Sequence, residues 1–225
     1  MSPEAPASKP NSPAAPADTD TDSGTGPHPG ADANSDAENG TSRWPIRAAT
    51  AEDWPELWRE VLQPVFAAGE TYSFAPDIRP DAARAAWLEQ PDAAFVATDP
   101  ASGAVLGSYY IKPNRPGLGA HICNCGYAVA PAARGRGIAS ALCQHSQAQA
   151  RQRGYRGMQF NSVVATNTGA IRLWQRHGYA IIGTVPGAYH HSRLGYVDSH
   201  IMFKSLVGAE SVSYTHLTLP TIYSV

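Results

Sequence analysis

Between residues 46 and 206 the apolar positions switch repeatedly between a period of two and a period near 3.6, and each switch marks an expected element. Ile46–Ala48 reads as a short strand. A helix is expected over Asp53–Ala67, with Thr50 and Asp53 as an Asp variant of the capping box. A second helix is expected over Asp81–Leu88, and Trp54, Trp58 and Trp87, at helical spacing, read as core. Strands follow at Ala94–Thr98, Val105–Lys112 and His121–Val129, the first two joined by the turn Asp99-Pro-Ala-Ser-Gly103. Ile138, Ala141 and Leu142 fall on one face of a helix that ends in Arg151, Arg153 and a Gly154 stop. Then come a strand at Met158–Val164, a helix from Asn167 to His177-Gly178, and strands at Ile181–Val185 and Tyr196–Leu206. His121 and His145 read as lying on packed faces. No internal repeat interrupts the order.

Composition sets the two ends apart from this pattern. Residues 1–43 are Pro, Ala, Ser, Thr, Gly and Asp with almost no large apolar side chains, so a disordered arm is expected there. The arm holds seven acids against Lys9 and Arg43, which leaves 15 basic and 12 acidic residues for 44–225. The folded domain, expected over 44–211, is therefore slightly cationic. The last fourteen residues, 212–225, resemble the translated read-through of a transposon adapter used in sequencing libraries and are set aside as a processing scar, a β-prone native tail being the alternative. With no apolar leader and no long apolar run, a cytoplasmic protein that neither spans nor binds a membrane is expected. Cys123-x-Cys125 and Cys143 form neither a metal spacing nor a disulfide framework, so no metal is expected.

The richest stretch is Gly126-Tyr-Ala-Val-Ala-Pro-Ala-Ala-Arg-Gly-Arg-Gly-Ile-Ala-Ser-Ala-Leu142, a strand running through a glycine turn into a helix. Gly135 and Gly137 permit a tight turn, and the following helix directs its first-turn amides and positive dipole end at whatever anion sits there. Arg134 and Arg136 add guanidinium forks. A dinucleotide fold would need an acidic residue about 20 positions on. Pro100–Val197 contains no Asp or Glu and ten Lys or Arg. No Gly-Lys-Ser/Thr follows the glycines, so a Walker-type loop is excluded as well. Those cations are scattered rather than clustered, and no aromatic platform accompanies them, which argues against nucleic acid.

Arg134-x-x-Gly137-x-Ala139, with Val129-Ala-Pro131 before it and Asn167-x-x-Ala170…Gly178-Tyr179 after it, resembles the acyl-CoA motif of the GNAT N-acetyltransferases over roughly Ile46–Leu206. The resemblance implies a mixed α/β fold: a mostly antiparallel central sheet, flanked by helices, whose parallel strands four and five splay apart around acetyl-CoA as cosubstrate. It implies cofactor contacts from Tyr127, Ala128, Val129, Arg134, Gly135, Arg136, Gly137, Ile138, Ala139 and Asn167, with an oxyanion donor on strand four near Tyr127 or Ala128. It also exposes departures. The family's tyrosine acid is matched by Trp174, whose indole does not give up a proton, and strand four lacks the family's glutamate base.

Asn124, Asn161 and Asn167, with the context Gln159-Phe-Asn-Ser-Val-Val-Ala-Thr-Asn167, resemble a subgroup of that family, the azetidine-2-carboxylate and proline-analogue acetyltransferases. The resemblance implies that these amides line the acetyl and substrate sites and that the acceptor is a small cyclic imino acid or amino acid. A bland reading of Asn161 and Asn167, as backbone partners at a strand end and a helix cap, stays open. Asn124 and Asn161 are taken as catalytic candidates, with Glu70 as the base. Tyr72, His190 and Arg193 are taken as substrate contacts, Arg193 suiting a carboxylate. The expected activity is N-acetylation of a small-molecule amine. A non-catalytic acyl-CoA sensor on the same fold is the alternative, and assembly as a homodimer is left open.

Overall fold

A computed structural model describes residues 43–208; the expectations for the N-terminal arm up to residue 42 and for residues 212–225 lie outside them. Seven strands form one sheet in the order β1-β2-β3-β4-β5-β7-β6. They are β1 (Ile46–Ala48), β2 (Ala93–Thr98), β3 (Val105–Pro113), β4 (Ile122–Val129), β5 (Gly157–Val164), β6 (Ala180–His191) and β7 (Gly195–Ser205). All neighbours run antiparallel except β4 and β5. That parallel pair is joined only at Ile122↔Gly157 and Cys123↔Met158, after which the strands part. The mixed, split sheet is the one the sequence resemblance implied.

Side-chain alternation sends successive β3 residues to opposite layers. Ser108 and Tyr110 face the first two helices: Trp87 Nε1 donates to Ser108 Oγ at 2.9 Å, and its ring meets Tyr110 edge-on at 5.0 Å. Tyr109 faces the opposite layer, where its hydroxyl lies 2.7 Å from His145 Nδ1. Helix α1, residues 54–67, starts at Trp54–Glu56, widens into a π-type turn over Leu57–Leu62 and tightens again at Gln63–Ala67. Pro64 explains the widening, because it has no N–H for the carbonyl four residues back and its ring crowds that turn. Helix α2, residues 80–89, comprises Pro80–Arg84 and the wider turn Ala85–Glu89. The opposite layer holds α3 (Ile138–Gln152) and α4 (Thr168–Arg176).

The capping box forms as expected, with Thr50 and Asp53 bonded reciprocally. Arg47 clamps the same carboxylate at 2.6 and 2.7 Å, and the Arg47 guanidinium holds the Asp53 carboxyl below its ordinary range. Trp87 is fully buried, while Trp54 and Trp58 stack at 5.7 Å against the core edge. His145 is packed as expected, but His121 is exposed, its Nδ1 3.1 Å from Leu118 O.

β6 is much longer than the expected Ile181–Val185. The sequence suggests a stop because Pro186 and Gly187 follow. In the fold they sit in a bulge on an edge strand, where a missing amide donor removes no ladder bond, and Gly187 takes φ 59°. Pairing resumes at Tyr189↔Val197, which carries the β6–β7 hairpin tip past the sheet to the loop after α1.

Candidate active site

Where β4 and β5 part, a cavity of about 850 Å³ opens. Its two sides are built differently.

On the α3 side the lining comes from Tyr127, Phe160 and Trp174, with ring centroids 4.8 to 5.7 Å apart, together with Asn167 and Ala170. Asn167 caps α4, its side-chain oxygen accepting from Ala170 N–H at 3.1 Å. The bland reading of Asn167 thus holds while the residue also lines the cavity. The Ala130 amide donates to Leu106 O at 2.9 Å, so alternation along β4 turns the Ala128 amide toward β3 as well. The amides of Tyr127 and Val129 therefore face the split, and the Tyr127 carbonyl on that side accepts the Tyr72 hydroxyl at 2.8 Å. Of the two amides expected near the oxyanion, that of Tyr127 faces the split and that of Ala128 faces β3.

The glycine turn lies at the outer end of this side. Gly135 and Gly137 take φ 76° and 81°, and Gly137 is the residue from which α3 starts. The first intrahelical bond reaching back to it is Ala141 N–H to Gly137 O at 3.1 Å, so the amides of Ile138, Ala139 and Ser140 remain available to an anion. Arg134 lines the cavity; Gly135, Arg136, Gly137, Ile138 and Ala139, which follow it in the chain, are not part of the lining. Arg136 does not add the second free fork expected of it. Its guanidinium pairs with Asp99 at 3.3 Å and stacks on Trp44 at 4.6 Å, while Trp44 Nε1 donates to Arg136 O at 3.2 Å. These contacts brace the turn. Asp99, whose carboxyl is lowered by the Ala101 and Ser102 amides and by Arg136, stands one residue before the acid-free stretch.

On the α1 side the lining is a chain of side chains. Asn124, just past the last β4–β5 rung and buried, donates from Nδ2 to Gln159 O at 2.9 Å and accepts from the Tyr110 hydroxyl at 3.3 Å. It bridges the strands where the backbone no longer can. Gln159 donates to Asn161 Oδ1 at 2.9 Å, and Asn161 donates to Asn114 Oδ1 at 2.7 Å. A register shift between Phe160 and Val163 turns Asn161 outward. Asn161 therefore pairs with side chains, not with the backbone partner of the bland reading. Gly126 makes room for Tyr110, since a Cβ there would stand 2.5 Å from the ring. Burial pushes the Tyr110 hydroxyl up to about 12, and raises those of Tyr72 and Tyr127 too, so all three act as neutral donors or acceptors.

The charged lining comprises Glu70, Lys112, Arg134 and Arg193. Glu70 and Arg193, named from sequence on separate loops, meet at 2.5 Å. His190 does not join them. Its ring meets Tyr196 at a tilt, 4.9 Å between centroids, away from the cavity lining, and His191, one position on and facing the other way, lines it instead. His191 Nδ1 accepts the Arg193 amide at 3.1 Å. Sequence reasoning missed Asn114, Gln159, Lys112 and Tyr110 as site residues. Strand parity with Asn124 across β3–β4 could have found Lys112 and Tyr110, whereas nothing local marks Asn114.

Cys125 also lines the cavity, yet its side chain is buried and its thiol is pushed well above the ordinary range, mainly by burial. Among the described residues no group of three or more His, Cys, Asp or Glu could hold a metal, and no helix is long and apolar enough to cross a membrane.

A split parallel pair facing a glycine-capped helix defines a class of proteins that seat an acyl-CoA in the split. The acetyltransferase (GNAT) family model matches residues 51–179, and the chain belongs to that family. A GCN5-related N-acetyltransferase from Kribbella flavida is 44% identical, with a TM-score of 0.68 over 72% of this chain and 98% of that one. N-acetyltransferase aca1 of Schizosaccharomyces pombe is 40% identical over 99 residues, 44% of this chain and 47% of the relative, so the chain spans about half the length of that curated protein. The structure of yncA from Salmonella typhimurium with its cofactor acetyl-CoA is 21% identical, TM-score 0.65, over 74% of this chain and 96% of that one, which shows a common fold.

Proposed function

We propose that this chain transfers the acetyl group of acetyl-CoA to the nitrogen of a small, carboxylate-bearing amine, best matched by a cyclic imino acid such as azetidine-2-carboxylate or a hydroxyproline. The observation that carries the reading is the acceptor side of the split: neutral amides at Asn114, Asn124 and Asn161 beside the cations Lys112 and Arg193, with Glu70 as the one carboxylate in the lining. Such a surface suits a carboxylate and offers little to a polycation.

The acetyl-CoA pyrophosphate is assigned to the amides of Ile138, Ala139 and Ser140 and to Arg134. The thioester then lies between β4 and β5, its oxygen toward the Tyr127 and Val129 amides, which stabilise the oxyanion of the tetrahedral intermediate. The amine arrives as ammonium, because an alkylamine titrates near ~10 and only about one molecule in a thousand is free base at neutral pH. Glu70 takes that proton. The nitrogen attacks the carbonyl carbon, a C–N bond forms, the C–S bond breaks, and the proton still carried by the new C–N nitrogen passes to the leaving CoA thiolate, while Glu70 returns the first proton to solvent. Net, an ammonium and acetyl-CoA give an amide, CoA thiol and one proton to solvent. Asn124 and Asn161 orient the acceptor, and Trp174 packs the acetyl end without titrating.

Free CoA release, measured with acetyl-CoA and a panel of imino acids, amino acids, polyamines and aminoglycosides, tests the reading. Azetidine-2-carboxylate or hydroxyproline should give the highest kcat/KM. Good turnover of polyamines with every cyclic imino acid inert would remove the acceptor assignment. Acetyl-CoA binding without turnover of any amine would favour the sensor.

A further inference from the structure

At the acceptor side the hairpin tip rests on the loop after α1. Two contacts fix backbone to backbone or backbone to hydroxyl: Ser192 N–H to Gly69 O at 3.0 Å and Ser192 Oγ to Ala68 O at 2.8 Å. Tyr189 adds its hydroxyl to Tyr72 O at 3.1 Å. None of these needs the side chains of Glu70 or Arg193. The remaining contact, Arg193 Nη2 to Glu70 Oε1 at 2.5 Å, spans the cavity rim, and both groups also line the cavity. Its side chains are 74% and 36% exposed, so it is a weak ion pair held on a strong frame. A guanidinium has further donors, and a second carboxylate can take it in fork geometry.

We propose that the Glu70–Arg193 pair is an exchangeable latch, opened by the acceptor's own carboxylate, so that substrate binding uncaps the base. It rests on the function proposed above. The entering amino or imino acid brings a carboxylate and an ammonium. Its carboxylate takes Arg193 from Glu70, and Glu70, left beside the ammonium, receives one proton from that nitrogen. No bond other than N–H breaks in this step, and the free amine then attacks the thioester. An amine without a carboxylate has nothing to exchange and meets a base whose Oε1 is engaged. The latch thus makes Arg193 a specificity residue and couples recognition to deprotonation, while His191, accepting the Arg193 backbone amide, fixes the backbone from which the fork extends.

Paired acceptors with and without the carboxylate, azetidine-2-carboxylate and azetidine, test the latch in Glu70→Gln, Arg193→Gln and Arg193→Lys. Calorimetry on Glu70→Gln should show tighter azetidine-2-carboxylate binding, by roughly threefold or more, because the competitor for Arg193 is gone, while kcat falls roughly a hundredfold. Arg193→Gln should raise KM for azetidine-2-carboxylate at least about tenfold and raise kcat/KM for azetidine, the base now being uncapped. Arg193→Lys should recover part of the KM, and melting curves establish that each variant is folded. Unchanged or weaker imino-acid binding in Glu70→Gln, or no gain with azetidine in Arg193→Gln, overturns the latch even if the wild type prefers the imino acid, which leaves the proposed function standing. Failure of the wild type to turn over any carboxylate-bearing amine overturns both.

Discussion

The α3 side of the split offers its polar groups largely from backbone, beside an aromatic wall: two left-handed glycines, a helix start and strand amides freed where β5 departs. The α1 side is made of side chains: an amide relay from Tyr110 through Asn124, Gln159 and Asn161 to Asn114, and an ion pair at the rim. Backbone recognition depends on glycine positions and on register, so it suits the constant part of a cosubstrate. Side-chain recognition can be altered residue by residue without disturbing the sheet, and it suits the part of the reaction that varies between relatives.

The two sides should therefore fail differently when broken. Gly137→Val should have the largest effect, on acetyl-CoA alone. A β-branched residue at φ 81° costs about 1–2 kcal/mol in the left-handed region, and losing aligned anion contacts adds about 1.5–3 kcal/mol. Calorimetry should register at least about a hundredfold loss of acetyl-CoA affinity in a protein that circular dichroism shows to be folded. Asn124→Ala should lower kcat roughly tenfold to a thousandfold, the range for one or two positioned hydrogen bonds at the reacting centre, with acetyl-CoA affinity held within about threefold. An equal loss of acetyl-CoA affinity would erase the distinction between the sides.

Gly126→Ala is a smaller perturbation, in the acceptor side only. Its Cβ would stand 2.5 Å from the Tyr110 ring, and overpacking of that kind costs about 1–3 kcal/mol. Thermal melting should fall by a few degrees, and the acceptor KM should rise as Tyr110 leaves Asn124. Acid should bring the smallest change, on the opposite side. Burial lowers the pKa of His145 and of His177, whose Nε2 lies 2.7 Å from Ser140 Oγ in the first turn of α3. The unfolded chain then binds protons first, so stability should be constant above about 7 and decline as pH falls through about 6.5 toward the lowered folded values. Melting temperatures of wild type and His145→Gln between pH 5 and 8 check the sign, with the variant showing the flatter profile.

The same contrast explains what the sequence made legible. Gly135, Gly137 and Asn167 announce themselves because a turn, a helix start and a cap are each encoded within a few residues, and the helices and all seven strands follow from periodicity. The relay is not encoded that way. Asn124 and Asn161 stand out only through a family resemblance, and Asn114 joins them across 47 residues of chain. His190 misses by one position because the hairpin's bulge, unreadable at Pro186 and Gly187, sets the parity of everything after it. Arg136 looks like a phosphate ligand from its neighbours, yet Trp44 and Asp99, distant in sequence, engage it.

The buried Cys125 thiol has a consequence for the acyl group itself. Were the thioester seated in the split as proposed, a reactive cysteine in the lining would take its acetyl sideways, leaving a modified protein and a spent cosubstrate. Only the thiolate attacks, and burial keeps this sulfur protonated. The wall of the split is in this way chemically deaf to its own cargo, and the acetyl group waits for nitrogen.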